Sequence, residues 1–250
     1  MRGRLMIALL LLLLASGCIG PTTSPTITRT TRPMKVIFNE THTFGSRFSI
    51  RVNLTEEAVV SVKLEMPEGA VLKYLGVIRA EDARTWILND EGVQYVARKN
   101  SVTAGTYNFT LGSGKYYIVF GPPEAPLEDV VLGEGTVELL PSNRTVITFN
   151  ASQYILLKNL QLKLIIQGNV SFQLLDSYQH GKWERGQHFV PVTEKKNAES
   201  GIYRISRDLP GTVYYLIINN DSSEEKAVVE YELRASAVRP FKGRIVVSLG

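Results

Sequence analysis

The chain is nearly without the residues that most site chemistries require. It has one cysteine in 250 residues, which excludes an internal disulfide framework and a cysteine-based structural zinc site. Three histidines, His42, His180 and His188, are the only imidazole bases. No Gly-x-Ser-x-Gly elbow surrounds a serine and no His-Glu-x-x-His pair offers zinc ligands. Charge of one sign is scarce: Lys and Arg exceed Asp and Glu by only 28 to 24. No polybasic patch accompanies that excess, so nucleic acid is not expected as a partner. Sustained helical periodicity is missing too. After the first twenty residues no three-turn amphipathic helix emerges, and only residues 80–89 (AEDARTWILN) would make a short one.

What is present begins at the N-terminus. Arg2 and Arg4 precede an unbroken apolar run over residues 5–14, then the small residues Ala15, Ser16 and Gly17, then Cys18. The apolar stretch ends at Ile19, short of the ~20 residues that span a bilayer. Small residues directly before a cysteine resemble the lipobox of secreted lipoproteins, although Ala15 stands where that pattern prefers leucine. The resemblance implies that residues 1–17 are a lipoprotein signal peptide and that Cys18 becomes a lipid-bearing N-terminus. An uncleaved signal anchor would leave the rest of the chain on the same side of the membrane. Either way the expected location is the extracellular face of the cell membrane. Loss of Arg2 and Arg4 with the signal would also halve the net charge of +4.

Residues 18–33 follow as a lipidated cysteine and stalk. Residues 20–33 read GPTTSPTITRTTRP, with no acid and nothing to bury. At ~3 Å per residue this stalk would hold a domain roughly 40 Å from its anchor. The Asn-x-Ser/Thr pattern then occurs at Asn39, Asn53, Asn108, Asn143, Asn150, Asn169 and Asn220. About two such triplets would arise by chance, so these are candidate acceptors for N-linked glycan on an exported chain. Signal, Thr-rich stalk and dense sequons together resemble surface lipoproteins of euryarchaea, in particular the Thermococcales. That resemblance implies location and glycosylation, not activity.

From residue 34 onward the pattern has period two. Ile50, Val52 and Leu54 alternate with Arg51 and Asn53, and Leu160, Leu162 and Leu164 alternate with Gln161 and Lys163. This is the mark of strands with one buried and one wet face. Gly105 leads through Gly114 to Tyr116-Tyr117, and Gly201 leads through Gly211 to Tyr214-Tyr215. Upstream, residues 60–64 (VSVKL) match residues 170–174 (VSFQL), which implies duplication with an insertion of about 14 residues around Trp86 in the first copy. The tyrosine-pair hairpins resemble those of bacterial pre-peptidase C-terminal domains, small jelly-roll-like sandwiches used for binding or secretion. The expected fold class is all-β: two tandem antiparallel β-sandwich, jelly-roll-like domains, at 35–140 and 146–250.

Candidate sites are few. Residues 112–115 (GSGK) lack both the earlier glycine and the Ser/Thr of a phosphate loop, and a strand follows where a helix is needed, so they read as a hairpin turn. Asp176, His180, Glu184 and His188 lie in one Gly-containing segment expected to be a loop, whose spacing does not make a metal site. Tyr178, Trp183 and His188 in that loop form a possible ligand patch, since sugar rings stack on aromatic faces. Residues 219–225 (NNDSSEE) offer oxygens for calcium or, more plainly, a polar hairpin loop. No catalytic set, metal site or cofactor is expected. The expected function is a non-catalytic, membrane-anchored and N-glycosylated surface lipoprotein acting in binding, adhesion or envelope assembly, with a surface glycan or envelope protein as partner. Two alternatives remain. One is an accessory sugar- or peptide-binding component of an extracellular enzyme or transporter. The other is a strand-exchanging filament subunit, which needs an unpaired N-terminal strand such as residues 35–39.

Overall fold

Period-two alternation becomes antiparallel pairing throughout the computed structural model, which describes residues 33–250. The expected signal peptide, Cys18 and the stalk up to residue 32 lie outside the described residues. The first seven main strands are β1 (Lys35–Phe44), β2 (Phe48–Leu54), β3 (Ala58–Glu65), β4 (Val71–Arg79), β5 (Tyr95–Val102), β6 (Gly105–Leu111) and β7 (Gly114–Phe120). A short β8 (Pro123–Ala125) leads into β9 (Leu127–Leu139), β10 (Arg144–Asn150), β11 (Leu156–Gln167), β12 (Val170–Asp176), β13 (Thr193–Ala198), β14 (Gly201–Ile205), β15 (Leu209–Pro210), β16 (Val213–Asn220) and β17 (Ala227–Val238). The last strand is β18 (Phe241–Leu249).

Four sheets form, ordered β1-β18-β3-β6, β2-β7-β4-β5, β9-β17-β11-β14 and β10-β16-β12-β13. Counted within each lobe, setting aside the short β8 and β15, both lobes have the order 1-8-3-6 in one sheet and 2-7-4-5 in the other. That is the double Greek key of the jelly roll. The fold is all-β, as expected, with two jelly-roll sandwiches, each around its own apolar core.

The domain boundaries differ from the expected 35–140 and 146–250. Strand β9 pairs with β17, so residues 127–139 belong to the second jelly roll. Strand β18 pairs with β1 and β3, so residues 241–249 belong to the first. The second jelly roll is thus inserted between the seventh and eighth strands of the first. Alternation marks a strand and its inner face but does not name its partner, so from sequence the C-terminal strand reads as part of the lobe that precedes it. In place, β18 drives Ile245 and Val247 into the core beside Phe44, Val62 and Leu64. Residues 35–39 are paired with β18, so β1 is an occupied edge strand, not the unpaired one that strand exchange would need.

The expected insertion around Trp86 also dissolves. Residues 60–64 lie on the third strand of their lobe, whereas residues 170–174 lie on the fourth, so the two segments are not counterparts. The fourth-to-fifth connections are nearly equal in length and each carries a helix: α1 (Ala83–Leu88) and α2 (Ser177–Glu184). Trp86 and Trp183 sit on these helices, 97 residues apart, and Arg47 and Arg144 precede or open the second strands at the same interval. The Arg47 guanidinium lies 5.7 Å over the Trp86 ring and that of Arg144 lies 5.2 Å over Trp183. The duplication therefore repeats a cation–π clamp that ties each helix to its sheet.

Beneath each helix the tyrosine pairs divide as alternation requires. Tyr116 and Tyr214 enter the two cores, while Tyr117 and Tyr215 face the helices. Burial and the nearby Asp176 charge push the Tyr214 hydroxyl up to about 12, and it donates to Pro210 O. Gly211 admits no side chain, because a Cβ there would stand 1.8 Å from Tyr154 O.

Two outcomes follow from this architecture. A chain ending at Pro240 lacks the strand between β1 and β3; its first jelly roll should unfold while the second keeps a cooperative transition. Fluorescence of single-tryptophan variants, reporting Trp86 and Trp183 separately, distinguishes the two lobes. His42 supplies the second test. Its ring stacks on Phe48 at 3.9 Å, and burial lowers its pKa from 6.5 against an opposing pull from Glu40. The unfolded chain then takes up the proton first, so stability held above pH 6.5 is lost as pH falls toward the lowered value. Urea midpoints measured from about pH 7.5 to about pH 5.5 should fall more in the parent chain than in His42→Phe.

Candidate functional site

The segment expected to be a loop at 176–188 is largely helical. Asp176 accepts a hydrogen bond from Gln179 N–H (2.8 Å) and caps α2, which offsets the glycine at position 181. Gln179 Oε1 in turn accepts from Val190 N–H (3.0 Å), holding the following segment to the helix. His180 faces inward and lies flat on Tyr215, with ring centroids 3.7 Å apart and planes 8° apart. Its Nδ1 is 3.8 Å from Glu184. Sequence reasoning missed this packing role because a two-turn helix is too short to register as a 3.6-residue period.

The three residues of the expected ligand patch do not share a surface. Tyr178 is exposed beneath the Lys182 ammonium at 4.6 Å. Trp183 is half-buried between His180 and Arg144. Five residues apart on a helix, the two point roughly 140° apart. His188 is exposed beyond the helix end. Trp86 is buried, and its Nε1 donates to Tyr74 Oη at 3.0 Å. Among the described residues no group of three or more His, Cys, Asp and Glu could hold a metal ion, and no helix is long and apolar enough to cross a membrane.

The polar segment 219–225 is tied up with itself and its neighbours. Asn220 is buried, and its Nδ2 donates to Leu139 O (3.3 Å), Leu140 O (3.1 Å) and Glu225 O (2.8 Å). Its Oδ1 accepts from Ser222 N–H (3.0 Å). An amide nitrogen so engaged cannot carry a glycan in this fold, so Asn220 is a structural tie across the end of the second jelly roll. The other six sequon asparagines are exposed. Asn39 and Asn108 lie on the outer face of β1-β18-β3-β6, and Asn53 on that of β2-β7-β4-β5. Asn143 precedes β10, Asn150 is its last residue and lies on the outer face of β10-β16-β12-β13, and Asn169 occupies the turn between β11 and β12.

The remaining sheet face, the outside of β9-β17-β11-β14, carries no sequon. Three shallow depressions lie along it, of about 300 Å³ around Glu134, Glu230 and Lys163, about 230 Å³ around Asp129, Arg234 and Ser236, and about 530 Å³ around Gln161, Arg204 and Ser206. Its charges segregate along the strands. Glu134, Glu138 and Glu230 lie toward one end together with Lys163, which stands opposite Glu232, while Arg234 and Arg204, both opposite Gln161, lie toward the other with Asp129. Glu232 and Arg234 meet near the middle, and the guanidinium holds the Glu232 carboxyl below the usual range. Leu127, Val131, Ile165 and Ile202 of this sheet are exposed. This face combines depressions, exposed aliphatics and segregated charge, and it is the candidate functional surface.

No family model matches the chain, and no curated protein matches it either. Solved structures similar to it include the STIV MCP (TM-score 0.28, 12% identity, covering 82% of this chain and 97% of that one). Others are infectious bursal disease virus Gx strain (TM-score 0.26, 9% identity, 92% and 82%) and allantoicase (TM-score 0.25, 8% identity, 79% of each). At such scores these likenesses carry no functional reading, and strand order alone supports the jelly-roll assignment.

The Asn220 geometry gives a direct test. Glycopeptide mapping should find Asn220 unmodified. Asn220→Ala should lower stability by about 1–3 kcal/mol in urea titrations, because buried carbonyls lose their donor. An unchanged midpoint would remove the structural role.

Proposed function

We propose that this protein is a non-catalytic surface lipoprotein, held at the extracellular face of the membrane through Cys18 and carrying N-linked glycan on exposed sequons. The observation that carries the reading is the order of the N-terminal sequence: basic start, apolar run, Ala15-Ser16-Gly17, Cys18, then a Thr/Pro stalk. Exposure of Asn39, Asn53, Asn108, Asn143, Asn150 and Asn169 is consistent with it. A jelly roll inserted within a jelly roll supplies broad, rigid sheet faces, which suits recognition or envelope assembly more than chemistry. The accessory ligand-binding alternative loses support from the dispersal of Tyr178, Trp183 and His188.

Cys18→Ser tests the anchor. The variant should leave the membrane fraction or accumulate with its signal attached, as read by detergent phase partitioning and intact mass. A correctly trimmed variant that still partitions with detergent would refute lipidation.

A further inference from the structure

We infer that the outer face of β9-β17-β11-β14 is a self-association surface that pairs with a second copy of this chain about a two-fold axis. Three observations converge on one occupant. The face is the one outer sheet face free of sequons, a point that rests on the glycosylation proposed above. Its exposed aliphatics and segregated charges do not rest on that reading. Strands β9, β17 and β11, of 12–13 residues, and β14, of five, lie about 4.8 Å apart at ~3.4 Å per residue and present about 700 Å². A standard specific interface buries about 800 Å² on each partner, so the face and its rim are of the right size.

Charge selects a second copy over an unrelated protein. A two-fold axis lying in the face and crossing β17 between Glu232 and Arg234 reverses the strand direction of the second copy. Glu232 of each copy then meets Arg234 of the other, and the two contacts are identical by symmetry. The end with Glu134, Glu230 and Lys163 comes to lie over the second copy's end with Arg204, Arg234 and Asp129. Within one copy Glu232 and Arg234 already pair, so association extends an existing pair into a four-charge network instead of burying lone charges. Val131, Ile165 and Ile202, about half exposed in the single chain, supply apolar area around that network.

Sedimentation equilibrium of the full chain in density-matched detergent tests this, with protein made both with and without glycan. A reversible dimer is expected from both preparations. Glu232→Arg and Arg234→Glu should each weaken self-association at least about tenfold, because each variant places like charges opposite one another. Mixed together, the two variants should form a heterodimer, since each presents the charges that the other lacks. Ile202→Lys, at an exposed position, should also yield monomer with unchanged thermal unfolding. A monomer at every concentration overturns the inference, as does a dimer that both charge reversals leave intact. So does failure of the mixed variants to associate. Dimerisation of the glycan-free chain keeps this result separate from the glycosylation reading, which glycopeptide mapping decides alone.

Discussion

The pairing of β18 between β1 and β3 is the constraint on which the rest of the molecule depends. Arg244 Nε donates to Asn39 Oδ1 (2.9 Å) across 205 positions of sequence, and Ile245 and Val247 complete the first core. Closing a flexible loop of that length would cost about 5 kcal/mol in chain entropy. The insert avoids most of that cost because its own ends are paired: Leu127 lies directly opposite Val238. Once the second jelly roll folds, the chain leaves it beside the point where it entered. The long closure becomes a short one.

That relation explains how one jelly roll tolerates another in its last connection. Entry runs through β8 into β9 and exit from β17 into β18, with Arg239 bridging Glu128 and Tyr154 at the junction. Each lobe keeps its own apolar core, so neither needs the other's side chains to exclude water. The repeat carries different packing on a symmetric frame. Both lobes clamp a helix with an arginine over a tryptophan. Only the first buries its tryptophan, whereas the second turns His180 of its helix onto Tyr215 and leaves Trp183 half-buried.

Much of the candidate surface was illegible beforehand for the same reason. Glu134, Lys163, Arg204 and Arg234 come from four strands spread over a hundred residues, and only the sheet order sets them side by side. Tyr178, Trp183 and His188 were conspicuous because they were close in sequence, yet a short helix turns them apart. The Arg47–Trp86 and Arg144–Trp183 pairs were visible at a spacing of 97. The likeness of residues 60–64 to 170–174 hides that spacing, because those segments are the third strand of one lobe and the fourth of the other. Sequons were legible as a set, but Asn220 shows that the triplet says nothing of where its amide points.

By itself the sequence determined the strands, their buried faces, the hairpin turns and the two-fold repetition, because period-two alternation and turn residues act within a few positions. Only the tertiary structure decided which strands are neighbours, that the second lobe sits inside the first, and which polar side chains gather on one face. Those depend on pairings between segments far apart in the chain, and alternation is the same whichever partner a strand finds.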